Sequence, residues 1–123
     1  MVDELNVGLV QAGSRAVAYY RCSVADEDRR ALLMQQDRVR RWAIANEVQI
    51  IREFCDVSPD GADSEVRPAF AEMVNDWIAR RNDFDRVLCF ESSRLGRVGG
   101  EGHNSFEAVC RQHGKRVVAA DAV

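Results

Sequence analysis

The chain has 123 residues, 46% of them apolar and 30% charged, the balance of one folded domain rather than of a disordered or fibrous chain. Its 17 basic and 20 acidic residues leave a net charge of −3, which argues against a chain-wide electrostatic grip on nucleic acid. No apolar run approaches the roughly 20 residues of a membrane helix, no secretory signal opens the chain, and Cys22, Cys55, Cys89 and Cys110 form no Cys-x-x-Cys zinc pair, so the chain reads as a reduced, cytoplasmic protein with no metal and no membrane partner.

Residues 1–15 carry neither period nor turn chemistry and read as a flexible tail. Ala16–Tyr20 is expected as a short buried strand, followed by a polar loop over residues 21–28. Arg29–Glu47 is expected as a helix with Leu32, Gln36, Val39 and Ala43 on one face and Leu33 and Trp42 beside it. Asp26 or Asp28 would cap it, Gln35 would flank its stripe partly exposed, and Arg38, Arg40 and Arg41 would form a solvated face. Val48–Phe54 is β-branched and reads as the second strand, and residues 55–66 as a turn-rich acidic loop. Pro68 suits a first helical position, and Phe70, Met73, Val74, Trp77 and Ile78 recur at the spacing of an amphipathic helix. Arg86–Phe90 is the third strand, followed by a glycine-bearing loop. Asn104 and Glu107 have capping-box spacing at the start of a helix through Phe106, Val109 and Cys110, which Gly114 would end. Arg116–Ala120 is the fourth strand.

Alternating strands and helices predict a single α/β domain: a mainly parallel twisted sheet of about four strands with helices on both faces. In such folds function gathers at the carboxyl ends of the strands. That edge would carry the hydroxyl of Ser23 and the guanidinium groups of Arg21, Arg67, Arg94 and Arg97. Sixteen of the 17 basic residues are arginine, a fork that grips phosphate at two points. Fixed cations around a hydroxyl suit phosphoryl transfer through a serine nucleophile. A serine after a strand is also an ordinary turn or cap residue, and the acids at 56, 60, 63 and 65 read as a solvated loop. His103 and His113 fall on the last loop and last helix, so a Ser-His-acid triad has little support.

Four blocks resemble the serine recombinases, the family of resolvases, invertases and large serine integrases. Tyr19, Arg21 and Ser23 are similar to the family's Tyr-x-Arg-x-Ser, and Leu32 and Gln35 to its Ser-Leu-x-x-Gln. Asp56, Gly61, Arg67 and Pro68 are similar to its Asp-x-x-x-Ser-Gly…Arg-Pro, and Arg94, Leu95 and Arg97 to its Asp-Arg-Leu-x-Arg. The blocks run in family order over residues 16–120. The resemblance implies a resolvase-like catalytic domain over residues 16–123, in which Ser23 attacks a DNA phosphodiester and leaves a 5′-phosphoserine. Arg21, Arg94 and Arg97 would hold the phosphate, with Tyr19, Gln35, Asp56 and Arg67 supporting the site. It implies no cofactor, DNA as substrate, a homodimer or tetramer as the active complex, and a dimerisation helix and DNA-binding domain that the chain as given lacks. Ser93 stands where many members carry Asp, Asp60 replaces the Ser of Ser-Gly, and Ala31 replaces the Ser of Ser-Leu-x-x-Gln. The long loop before Arg67 leans toward the large integrases.

Three other readings stay open at this level. A receiver-type signalling domain has the same alternation but needs an aspartate ending strand three, where this chain has Glu91-Ser92. A cysteine phosphatase needs Cys-x5-Arg running from strand to helix, whereas Cys110 to Arg116 runs from helix to strand. A recombinase-like module used only for assembly would keep the fold without the chemistry.

Overall fold

The computed structural model describes residues 14–23, 30–58, 67–90 and 105–120. Four strands form one sheet: β1 (Arg15–Ser23), β2 (Gln49–Ser58), β3 (Arg86–Cys89) and β4 (Arg116–Ala119). Their order is β2-β1-β3-β4 and every neighbouring pair is parallel. The helices are α1 (Arg30–Ala45), α2 (Pro68–Glu72) and α3 (Ser105–Gln112). α2 runs directly into a π-helical stretch, Met73–Ile78, in which the Ala79 N–H reaches back five residues to the Val74 carbonyl at 3.1 Å.

The strand order explains how the helices divide between the faces. From β1 the chain crosses to β2 on one side, then returns past β1 to β3 and β4. Parallel crossovers are right-handed, so reversing the direction of crossing changes the face on which the connecting helix lies. α1 accordingly covers Ala16, Ala18, Tyr20 and Leu88 with Val39 and Ala43. α2, its π-helical continuation and α3 cover Val17, Tyr19, Phe54, Val87 and Cys89 with Phe70, Met73, Ile78, Phe106 and Cys110. The two-residue alternation of β1 between these clusters is that of a strand buried on both faces.

One irregularity sets which residues of β2 share a face with which of β1. Ala16 pairs with Ile50, but Val17 pairs with Arg52, so Ile51 is an extra residue on β2. From there onward Tyr19 lies beside Phe54 and Arg21 beside Asp56.

Several sequence expectations shift. β1 continues through Arg21, Cys22 and Ser23, and β2 through Asp56 to Ser58, so the presumed exit loops begin as strand. Their polar residues hid this extension, which backbone pairing between the two strands sustains. On α1 the core stripe is Leu32, Gln35, Val39 and Ala43; Gln35 is fully buried, Gln36 only partly, and Leu33 is 58% exposed. Arg40 belongs to a bidentate ion pair with Glu53 of β2 rather than to a purely solvated face. The tail over residues 1–13, the caps Asp26 and Asp28, the acidic loop from Asp60 to Glu65 and Asn104 lie outside the described residues. Pro68 does open α2, and Gly114 ends α3 at φ +76, a left-handed conformation that glycine adopts without steric cost.

The end of the π-helical stretch is fastened from a distance. Lys115, 6% exposed, donates from Nζ to the Ile78 carbonyl at 3.1 Å and to the Arg81 carbonyl, and lies over the Phe84 ring. The Ile78 carbonyl is one of the acceptors that a helix C-terminus leaves without an intrahelical partner, and the Arg81 carbonyl lies just past the helix end. Lys115→Met keeps the stem packing and removes both bonds. It is expected to lower stability by about 2 kcal/mol, read from the urea midpoint. An unchanged midpoint would mean that water serves those carbonyls equally well.

Candidate active site

Among the described residues four polar or charged side chains are buried: Arg21, Gln35, Asp56 and Lys115. Three of them sit together at the carboxyl end of β1 and β2. Buried polar groups are costly unless paired, so their concentration at one edge marks a built site.

Asp56 organises one half of it. Its carboxylate accepts the Tyr19 hydroxyl at 2.8 Å on Oδ2, the Ala69 N–H at 2.9 Å on Oδ1 and the Phe70 N–H at 2.9 Å on Oδ2. Those two N–H groups belong to the first turn of α2. Pro68 has no N–H to satisfy, and Ala71 N–H already reaches the Arg67 carbonyl at 3.0 Å. Every donor at the start of α2 is therefore accounted for, and a strand residue does the work of a helix cap. Arg67, the residue just before the helix, makes no side-chain cap itself. Its guanidinium lies 3.9 Å over the Phe70 ring and also acts on the Tyr19 hydroxyl, which its charge makes easier to ionise. Burial first, and the Asp56 carboxylate second, outweigh it and push the Tyr19 phenol above its ordinary range. Tyr19 thus remains a hydrogen-bond donor at any physiological pH, and its ring packs edge-on against Phe70 at 5.2 Å.

Gln35 organises the other half. Its Nε2 donates to the Arg21 carbonyl at 2.9 Å and its Oε1 accepts the Arg21 N–H at 3.3 Å. Among the described residues the β3 pairing stops at Tyr19. At Arg21 the carboxamide, one donor and one acceptor in a plane, pairs with the backbone as a neighbouring strand would. Periodicity could have found it: Gln35 falls at i+3 from Leu32 and i−4 from Val39, inside the apolar stripe, where a polar side chain survives only with partners.

The predicted site residues therefore fall as follows. Tyr19, Asp56 and Arg67 meet in one cluster, and Arg21 and Gln35 in a second. Arg21 is the register neighbour of Asp56, and Ser23 is the last residue of β1, beside Ser58 in register. Arg94 and Arg97 lie outside the described residues. Their segment follows β3, whose carboxyl end flanks β1, and the gap between β1 and β3 is where the strand order reverses, the usual ligand crevice of open α/β sheets. Cys110, the count-match for a phosphatase cysteine, is fully buried in α3. Burial, reinforced by the Glu107 charge, pushes its thiol up to about 12, so it offers no thiolate nucleophile.

Comparison with known proteins bears on the family and the fold. The family model described as Resolvase, N terminal domain matches residues 16–123. Among solved structures, the fold is similar to the N-terminal catalytic domain of TP901-1 integrase, at 22% identity and TM-score 0.70, covering 89% of this chain and 78% of that one. It is also similar to the C-terminal catalytic domain of ISC1926 TnpA, an IS607-like serine recombinase, at 21% identity and TM-score 0.71, covering 86% and 67%. A resolvase family site-specific recombinase from Streptococcus pneumoniae gives 20% identity and TM-score 0.69, covering 89% and 73%. No curated protein matches the chain.

The Asp56 cluster makes a coupled prediction. Asp56→Ala strands two helix N–H groups and a buried hydroxyl and is expected to cost about 3 kcal/mol. Tyr19→Phe should cost about 1 kcal/mol. Together they should cost less than the two added, because the hydroxyl that Asp56→Ala leaves unpaired is gone. Urea denaturation of the three variants measures this, and strict additivity would show that the bond contributes nothing.

Proposed function

The chain belongs to the resolvase family of serine recombinases, and from that premise we propose that it is the catalytic domain of a site-specific DNA recombinase with Ser23 as nucleophile. The observation that carries the reading is the gathering of three buried polar side chains, Arg21, Gln35 and Asp56, around the end of the strand that closes on Ser23, with Gln35 bonded to the Arg21 backbone and Asp56 its register neighbour.

In this reading the Ser23 hydroxyl gives up its proton and its oxygen attacks phosphorus. The bond from phosphorus to the 3′ oxygen breaks, that oxygen takes up a proton, and a 5′-phosphoserine remains. Rejoining runs the exchange backwards, with a 3′ hydroxyl as attacker and serine as leaving group. One phosphodiester is traded for another, so no nucleotide or outside energy source is consumed. Arg21, Arg94 and Arg97 would neutralise the charge that grows on the phosphoryl oxygens.

The remaining residues act through others. Gln35 fixes the backbone of Arg21, two residues before the nucleophile. Asp56 fixes the start of α2, and with it Arg67 and Tyr19. Recognition of a DNA sequence and assembly into a dimer or tetramer belong to this proposal as well, with DNA and further copies of the chain as the partners.

The test is chemical. The protein is incubated with fragmented duplex DNA, digested with nuclease, and peptides are read by mass spectrometry. A nucleotide mass on the peptide holding Ser23 is expected, and Ser23→Ala should reduce it by at least about a hundredfold. An adduct on another residue, or one that survives Ser23→Ala, would overturn the assignment.

A further inference from the structure

Among the described residues, side-chain hydrogen bonds tie α1 to the sheet at Gln35 and at Arg40. Arg40 lies five residues, or about 7.5 Å, further along the helix axis. Its Nε donates to Glu53 Oε2 at 2.8 Å and its Nη2 to Glu53 Oε1 at 2.7 Å. The Tyr20 hydroxyl donates to the same Oε2 at 2.7 Å. Tyr20 is fully buried, and the Glu53 side chain is 28% exposed. An exposed ion pair alone contributes little, but this carboxylate also satisfies a buried phenol that would otherwise be stranded.

The contacts close a ring. Tyr20 is bonded to Arg21, Arg21 to Gln35 through two hydrogen bonds, Gln35 to Arg40 through the helix, Arg40 to Glu53, and Glu53 back to Tyr20. The hydrogen bonds from Arg40 and Tyr20 hold the Glu53 carboxyl below its usual range. Burial and the neighbouring carboxylate hold the Tyr20 phenol above its own. Both groups therefore keep one protonation state around neutrality, and the ring is a fixed brace. The bond from Arg21 N–H to Gln35 is already 3.3 Å long, so a slip of about 1 Å along the sheet is enough to break it.

We propose that Glu53 is a positioning residue for DNA cleavage: by tying Arg40 of α1 to Tyr20 of β1 it sets where α1 lies along the sheet, and thereby where Gln35 meets Arg21 beside Ser23. The inference rests on Ser23 being the nucleophile. Glu53 touches no reacting atom in it and acts only through α1.

Hydrogen exchange followed by NMR on the 123-residue chain tests the brace. Glu53→Ala should speed exchange of the Arg21 amide by about tenfold or more beyond the change at the Ala18 amide, which reports overall stability. Glu53→Gln keeps one oxygen that can accept from both the Tyr20 hydroxyl and Arg40 Nε and loses only the acceptor for Arg40 Nη2, so it should fold and show the same selectivity at a smaller factor. Equal changes at Arg21 and Ala18 in both variants would overturn the proposal. Adduct formation on duplex DNA is followed in parallel. Its maximal rate should fall in Glu53→Gln with the half-saturating DNA concentration unchanged, and an unchanged maximal rate with a loosened Arg21 would also overturn it. Ser23→Ala keeps the two ideas apart. If that variant still forms adducts, the nucleophile assignment fails, whereas exchange at Arg21 decides the brace by itself.

Discussion

The carboxylate of Asp56 ties the first turn of α2 to two paired strands, reaching from the end of β2 to the Tyr19 hydroxyl of β1 and to the N–H groups of Ala69 and Phe70. A helix start needs acceptors for its N–H groups, and a buried phenol needs one for its hydroxyl. One side chain meets both needs, so the position of α2 over the sheet is referred directly to the strand that leads to Ser23. The packing of Phe70 against Tyr19 and Phe106 follows from that placement, as does the seat of Arg67. Lys115 performs the matching service at the far end of the same helical segment, so both ends are held by residues far away in sequence.

The two halves of the site use different chemistry for the same purpose. Asp56 supplies helix acceptors as a carboxylate, and Gln35 pairs with a strand backbone as a neutral amide. Each takes the form its backbone demands. Helix N–H groups present donors alone, which suits a carboxylate, whereas a strand residue presents one donor and one acceptor, which suits a carboxamide. A Glu at position 35 could accept from the Arg21 N–H but would set a carboxylate oxygen against the Arg21 carbonyl. A neutral Asn at 56 would turn an N–H toward donors or give up one of its acceptors.

The order of strands and helices was legible in the sequence because apolar period and turn residues carry it: Pro68 and Gly114 mark boundaries for reasons local to the backbone. The strand ends were not legible. Arg21 and Ser23, like Asp56 and Ser58, are polar, so both stretches read as loop, and pairing between the strands makes them sheet. Site residues followed the same divide. Tyr19, Arg21, Gln35, Asp56 and Arg67 stood out through their resemblance to a family pattern, whereas the partner of Gln35 and the roles of Arg40, Glu53 and Lys115 depend on contacts between separate segments of the chain. Arg40 resembles its neighbours Arg38 and Arg41 in every local respect, and only the opposing Glu53 distinguishes it.

The extra residue at Ile51 carries a consequence for how related chains are to be aligned. Were Ile51 paired regularly instead of bulged, the register set by Ala16 and Ile50 would put Asp56 beside Cys22 rather than Arg21, and alternation would turn its carboxylate toward α1. The face on which this site is assembled is thus decided by the count of residues between the irregularity and Asp56. Loss of the codon for Ile51 itself would make the pairing regular and keep Asp56 beside Arg21, whereas a residue lost or gained between Arg52 and Asp56 would invert the polarity of the strand beyond it. A gap placed one position off in an alignment of this segment would pair functional residues with core residues, and the error would look like divergence.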